Sequence, residues 1–72
     1  MTRKHFETIA RALFLASPDA DNEPVARLSW CSLCSTLAIV FGQINSRFNR
    51  VRFFTTCGFT PQEVERWHDV LN

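Results

Sequence analysis

The fold is decided by Phe48-Asn49-Arg50-Val51-Arg52-Phe53-Phe54-Thr55-Thr56-Cys57-Gly58-Phe59-Thr60-Pro61-Gln62-Glu63-Val64, where two helix starts and one helix end can be read residue by residue. Asn49 is a good N-cap, and Phe48 before it can staple onto Phe53, the fourth helical position. Gly58 suits the left-handed residue that ends a helix, and Phe59 beyond it can contact Phe54 as a Schellman ending requires. Two residues later the signals restart. Thr60 caps, Pro61 takes the first position, and Glu63 closes a Thr-x-x-Glu capping box. Phe59 and Val64 are spaced for a second staple, and Val64, Trp67 and Leu71 form an inward face. The reading is helix, very tight turn, helix, and it makes the chain all-α.

Upstream, the periodicity predicts two more helices. Thr2 can cap the first, which runs to about Ala16 with Phe6, Ile9, Ala10, Leu13 and Phe14 on one stripe. Glu7 and Arg11 are spaced for an i,i+4 ion pair on its other side. Ser17-Pro18-Asp19-Ala20-Asp21-Asn22 is turn chemistry. A second helix starts near Glu23-Pro24, with Asp21 or Asn22 available as cap, and runs to about Gln43 or Ile44. Trp30, Leu33, Cys34, Leu37, Val40, Phe41 and Ile44 lie on its main stripe, which Leu28, Cys31 and Ile39 widen onto a second side. A helix apolar on more than one side is a central one with neighbours around it. The expected fold is therefore a single four-helix domain over residues 1–72, with a long central second helix and a helix-turn-helix-like C-terminal pair.

Seventy-two residues lie near the lower limit for a chain that folds without staples, so the core has to be rich. Seven Phe, two Trp and 46% hydrophobic residues supply it, with aromatic surface expected to spare for a partner or a second copy. Eight basic and seven acidic side chains leave a net charge of +1, so steering toward nucleic acid or membrane can come only from local clusters. The longest uninterrupted apolar run, Leu37 to Phe41, is short for a membrane span, and the N-terminal segment is broken by Glu7 and Arg11. A cytoplasmic protein without membrane association is expected. Three cysteines, an odd number, fit reduced thiols.

Few constellations offer chemistry. Trp30-Cys31-Ser32-Leu33-Cys34 contains C-x-x-C, but a redox pair needs its first thiol exposed at a helix N-terminus, and here both fall inside a long helix. Zinc would require Cys57 with His5 or His68 as further ligands, although only one close pair exists. The cysteines read as small core-fillers. His5 and His68 read as half-exposed surface or cap-region residues. No Ser-His-Asp order, phosphate loop or paired carboxylates appear, so no catalysis, cofactor or metal is expected.

Two stretches carry a resemblance. Thr2-Arg3-Lys4-His5-Phe6 with Ile9-Ala10, and Asn45-x-Arg47-Phe48-x-Arg50-x-Arg52-Phe53 ending in Cys57-Gly58, resemble a group of small proteins encoded in bacteriophages, prophages and plasmids. Pro, Asp and an acidic residue, common there, are replaced here by Ser46, Asn49 and Val51, which makes this corner more basic. The resemblance implies a mobile-element origin, and with it an accessory protein acting on a host protein or complex, without implying a mechanism.

Arg47, Arg50 and Arg52 surround the start of the third helix, where the macrodipole is already positive and anions are favoured. They are the candidate partner-binding residues; internal pairing with Glu63, Glu65, Asp69 or the Asp19–Glu23 tract is the competing use. The alternative is a DNA-binding helix-turn-helix over residues 49–71, with Thr60, Gln62 and Arg66 as its contacts. Against it, Phe54 stands where that motif needs a small residue, and the candidate recognition helix carries Glu63, Glu65 and Asp69. A homodimer is compatible with either reading.

Overall fold

The structure, a computed structural model, describes residues 3–70, with side chains described through His68. The N-cap expected of Thr2, the inward face at Leu71 and the pairing expected of the Asp69 carboxylate fall outside those limits. Four helices follow one another: α1 (Arg3–Leu15), α2 (Pro24–Ile44), α3 (Arg50–Cys57) and α4 (Pro61–Val70). The chain is all-α, as the capping signals predict.

The α3–α4 junction forms as its sequence dictates. Asn49 Oδ1 accepts from the Arg52 N–H at 3.0 Å, and the rings of Phe48 and Phe53 meet with centroids 5.4 Å apart. Gly58 adopts φ 96°, ψ 20°, and the Phe59 N–H donates to the Phe54 carbonyl at 3.0 Å. The Phe54 and Phe59 rings stack at 4.6 Å and 9°. Only glycine suits Gly58, because the backbone is left-handed and a Cβ there would lie 2.6 Å from Phe14 Cδ1. Thr60 and Glu63 then make the reciprocal capping box: the Glu63 N–H donates to Thr60 Oγ1 at 3.2 Å and the Thr60 N–H to Glu63 Oε1 at 2.9 Å.

The α1–α2 connection differs from expectation. Neither Asp21 nor Asn22 caps α2; Glu23 occupies the N-cap position without a side-chain bond. Asp19 organises the loop instead, accepting from the Asp21 N–H and the Asn22 amide at 2.8 Å each. The backbone hydrogen bond from Asp21 holds the Asp19 carboxyl below its ordinary range.

The side chains buried along α2 are Arg27, Trp30, Cys31, Cys34, Ser35, Ala38 and Phe41. Trp30, Cys34 and Phe41 are on the predicted stripe, whereas Leu33, Val40 and Ile44 face solvent. The buried face is thus turned about a quarter of a turn from the stripe read in the sequence. Small residues account for this. Cys31, Ser35 and Ala38 let the helix approach a layer of phenylalanines that larger side chains would hold off. Phe6, Phe41, Phe48 and Phe53 form one ring cluster, with centroids 4.9 to 5.6 Å apart. Trp30 and Phe54 pack on Phe59, and the Trp30 indole N–H donates to the Leu13 carbonyl at 3.0 Å, fixing α2 to α1.

The expected surplus of exposed aromatics is not seen. Six of the nine aromatic residues are buried, and Phe14, half exposed over Gly58, is the one large aromatic left outside among the described residues. The other exposed large hydrophobic side chains are aliphatic.

Candidate functional site

Arg27 contributes a buried cation that the sequence reading leaves out. One guanidinium binds three elements: its Nε and one terminal nitrogen donate to Glu63 of α4 at 2.9 and 2.7 Å, and terminal nitrogens donate to the Pro18 and Gly58 carbonyls at 2.9 and 3.0 Å. It also lies 4.3 Å from the centre of the Trp30 ring. The Arg27 bonds hold the Glu63 carboxyl at about 2, well below the usual carboxylate range. Glu63 in turn accepts from the Cys31 thiol at 3.4 Å, and burial first, then that carboxylate, push the thiol up to about 12. The hydrogen bond with Cys57, together with burial, raises Cys34 strongly. All three cysteines are free thiols inside the core. Among the described residues, no three His, Cys, Asp or Glu side chains converge as metal ligands would. This polar cluster ties α2 to α4, to the α1–α2 connection and to the end of α3.

The open feature lies elsewhere. A cleft of about 530 Å³ runs between α1, the α2–α3 connection and the start of α3. Its apolar lining is Phe6, Ala10, Phe48 and Phe53; Arg3, Arg47 and Arg52 stand along it, with Glu7 as its carboxylate. Glu7 turns to Arg3 at 3.2 Å and Arg52 at 3.6 Å, not to Arg11 as the spacing suggests. The cleft draws Glu7 because Arg52 arrives from α3, which helical spacing within α1 cannot reveal. Both ion pairs are exposed, so each contributes little and can open for a competing anion.

The structure divides the three candidate arginines. Arg47 and Arg52 line the cleft and are joined there by Arg3, while Arg50 lines a shallower hollow against the end of α2 with Ala38, Ile39 and Gly42. Arg3 passed unnoticed as a site residue because it lies 44 positions upstream of Arg47. Only the packing of α1 on α3 brings Arg3 and Phe6 opposite Arg47, Phe48, Arg52 and Phe53.

Thr60, Gln62 and Arg66 are all exposed. The Thr60 hydroxyl is engaged in the cap, and the Arg66 guanidinium lies over the Trp67 ring at 5.9 Å. Phe54 is wholly buried against Phe59. Glu63 is turned inward to Arg27, so among the carboxylates weighed as partners for the arginine corner it is engaged elsewhere.

By length and composition alone, α2 is long and apolar enough to cross a membrane. Seven of its residues, Arg27 included, pack inside the domain. Comparison of the chain with protein-family models, curated proteins and solved structures returned no match.

Proposed function

We propose that this is a non-catalytic binding module whose α1–α3 cleft takes an acidic, partly apolar segment of a protein partner. One observation carries the reading: Arg3, Arg47 and Arg52 border a floor of Phe6, Phe48 and Phe53, and Glu7 is the single acidic side chain among them. Guanidinium groups beside aromatic surface are the composition of protein interfaces, where they provide anchors and carboxylate recognition together. The resemblance to phage and plasmid proteins supports a partner in the host cell, with this chain as an accessory that modulates a host protein or complex in the cytoplasm.

The test is capture from a bacterial extract on the immobilised protein, with and without nuclease, comparing the parent with an Arg47→Glu/Arg52→Glu variant. A protein retained by the parent after nuclease and lost by the folded variant is the expected result. Equal retention by a variant of unchanged circular dichroism removes the cleft from consideration. Retention that disappears on nuclease treatment, and on changing Gln62 and Arg66 instead, assigns the binding to nucleic acid and α4.

A further inference from the structure

From Leu28 to Ile44 the second helix carries no charged residue, and its single charge, Arg27, is turned inward. The outward face is therefore uncharged along its whole length. Val25, Leu28, Leu33, Ile39, Val40 and Ile44 on it expose between 42% and 77% of their surface. Ser29, Ser32 and Thr36 run between the two aliphatic rows. The exposed aliphatic area is on the order of 500 Å² per copy, at the level of the largest apolar patch on an ordinary monomer. It is also about a tenth of the total surface of 4905 Å².

We infer that this face of α2 pairs with the same face of a second copy of the chain. A partner bearing charges would bury them without counterparts against such a surface, whereas an identical copy brings none. Antiparallel pairing about Thr36 places Val40 over Ser32, Gln43 over Ser29, Leu33 beside Ile39 and Leu28 beside Ile44. Serines then face Val40 and Gln43 near the centre, which lets the helices approach, the aliphatic pairs Leu33–Ile39 and Leu28–Ile44 flank them, and the helix dipoles oppose each other. Full burial of the aliphatic surface of two such faces removes about 1,000 Å², the level a specific interface has to reach. The pairing also resolves the mismatch in α2: a helix apolar on two sides, covered on one in a domain only 17 Å across its shortest axis, becomes central in the pair. Adding a second copy is, moreover, a common way for a chain this short to gain core. A lipid surface fits less well, since helices that lie on membranes carry several Lys or Arg along the polar margin, whereas α2 itself has only the buried Arg27, with Arg50 of α3 near Ile39 at one end.

Sedimentation equilibrium of the full chain tests the pairing. The parent is expected at twice its 8.3 kDa at micromolar concentration. Leu33→Glu/Val40→Glu, both at exposed positions, is expected to keep the helical spectrum and raise the dissociation constant more than about a hundredfold. A Thr36→Cys variant is expected to cross-link to itself on mild oxidation, while Lys4→Cys on α1 is not. A parent that remains a monomer at hundreds of micromolar overturns the inference, and so does a dimer indifferent to the double substitution. A monomer that cosediments with phosphatidylcholine vesicles overturns it in favour of lipid. A dimer sensitive to Leu33→Glu/Val40→Glu but not cross-linked through Thr36 retains the face and overturns the antiparallel register.

Discussion

Replacing Glu63 with Gln isolates what the buried ion pair contributes. The two side chains are 10% and 18% exposed, so the attraction is only partly screened. The amide can still accept from the Thr60 N–H, but it leaves the Arg27 guanidinium without a counter-charge inside the domain. The folded carboxyl sits at about 2 against an ordinary value of 4.5, a gap corresponding to about 3 kcal/mol. Because the folded value is the lower one, this stabilisation is fully present above about pH 4.5 and is lost as pH falls toward about 2. For a chain of this size, about 3 kcal/mol is a third or more of the total stability. Urea denaturation followed by far-ultraviolet circular dichroism should therefore find Glu63→Gln about 3 kcal/mol less stable than the parent at pH 7. The difference should fall below about 1 kcal/mol at pH 2, where the folded parent's carboxyl is about half protonated and the unfolded one almost wholly so. Comparing variant with parent cancels the titration of the other carboxylates. A difference that persists unchanged from pH 7 to pH 2 would show that Glu63 acts through its cap and its packing, and would refute the charge argument.

Gly58→Ala should lower stability by at least about 1–2 kcal/mol, since it combines a left-handed backbone with a Cβ against Phe14. Gly42→Ala, inside α2 with nothing within 4 Å of the new carbon, should instead gain up to about 1 kcal/mol; thermal melts compare the two directly. The thiols of Cys31, Cys34 and Cys57 should react with an aromatic disulfide reagent at pH 8 only as fast as the domain opens, and all three should react at once in denaturant. A thiol that reacts rapidly in the native protein would contradict their burial.

The sequence was most legible where chemistry is local. Asn49, Gly58, Thr60 and Glu63 each satisfy or release backbone groups a few residues away, so the α3–α4 junction could be read without knowing what surrounds it. The rotation of α2 could not. A helix shows its outside by its charges, and from Leu28 to Ile44 there are none, so the larger aliphatic side chains, Leu28 and Ile39 among them, suggested an inside that the fold gives to Cys31, which was read, and to Ser35 and Ala38, which were not. Arg27 stayed hidden for the converse reason: a cation reads as surface unless its partners are known, and these come from Pro18, Gly58 and Glu63. The cleft was half legible. Arg47 and Arg52 flank a helix start, but Arg3 joins them only through the packing of α1 on α3.

The two proposed surfaces can be tested separately because they share no residue. The cleft is built from α1, the α2–α3 connection and α3, and the pairing face lies wholly on α2. A pair joined through α2 carries two clefts, and a partner with two acidic segments would then be held with an avidity about a hundredfold or more above that of one cleft, provided the spacing matches. Leu33→Glu/Val40→Glu should remove that gain while leaving capture of a single acidic segment intact. Arg47→Glu/Arg52→Glu should abolish capture while leaving a dimer. If the α2 variant loses even single-segment capture while still folded, the pairing face itself is the partner site, and the arginines of the cleft are a solvated corner of the domain.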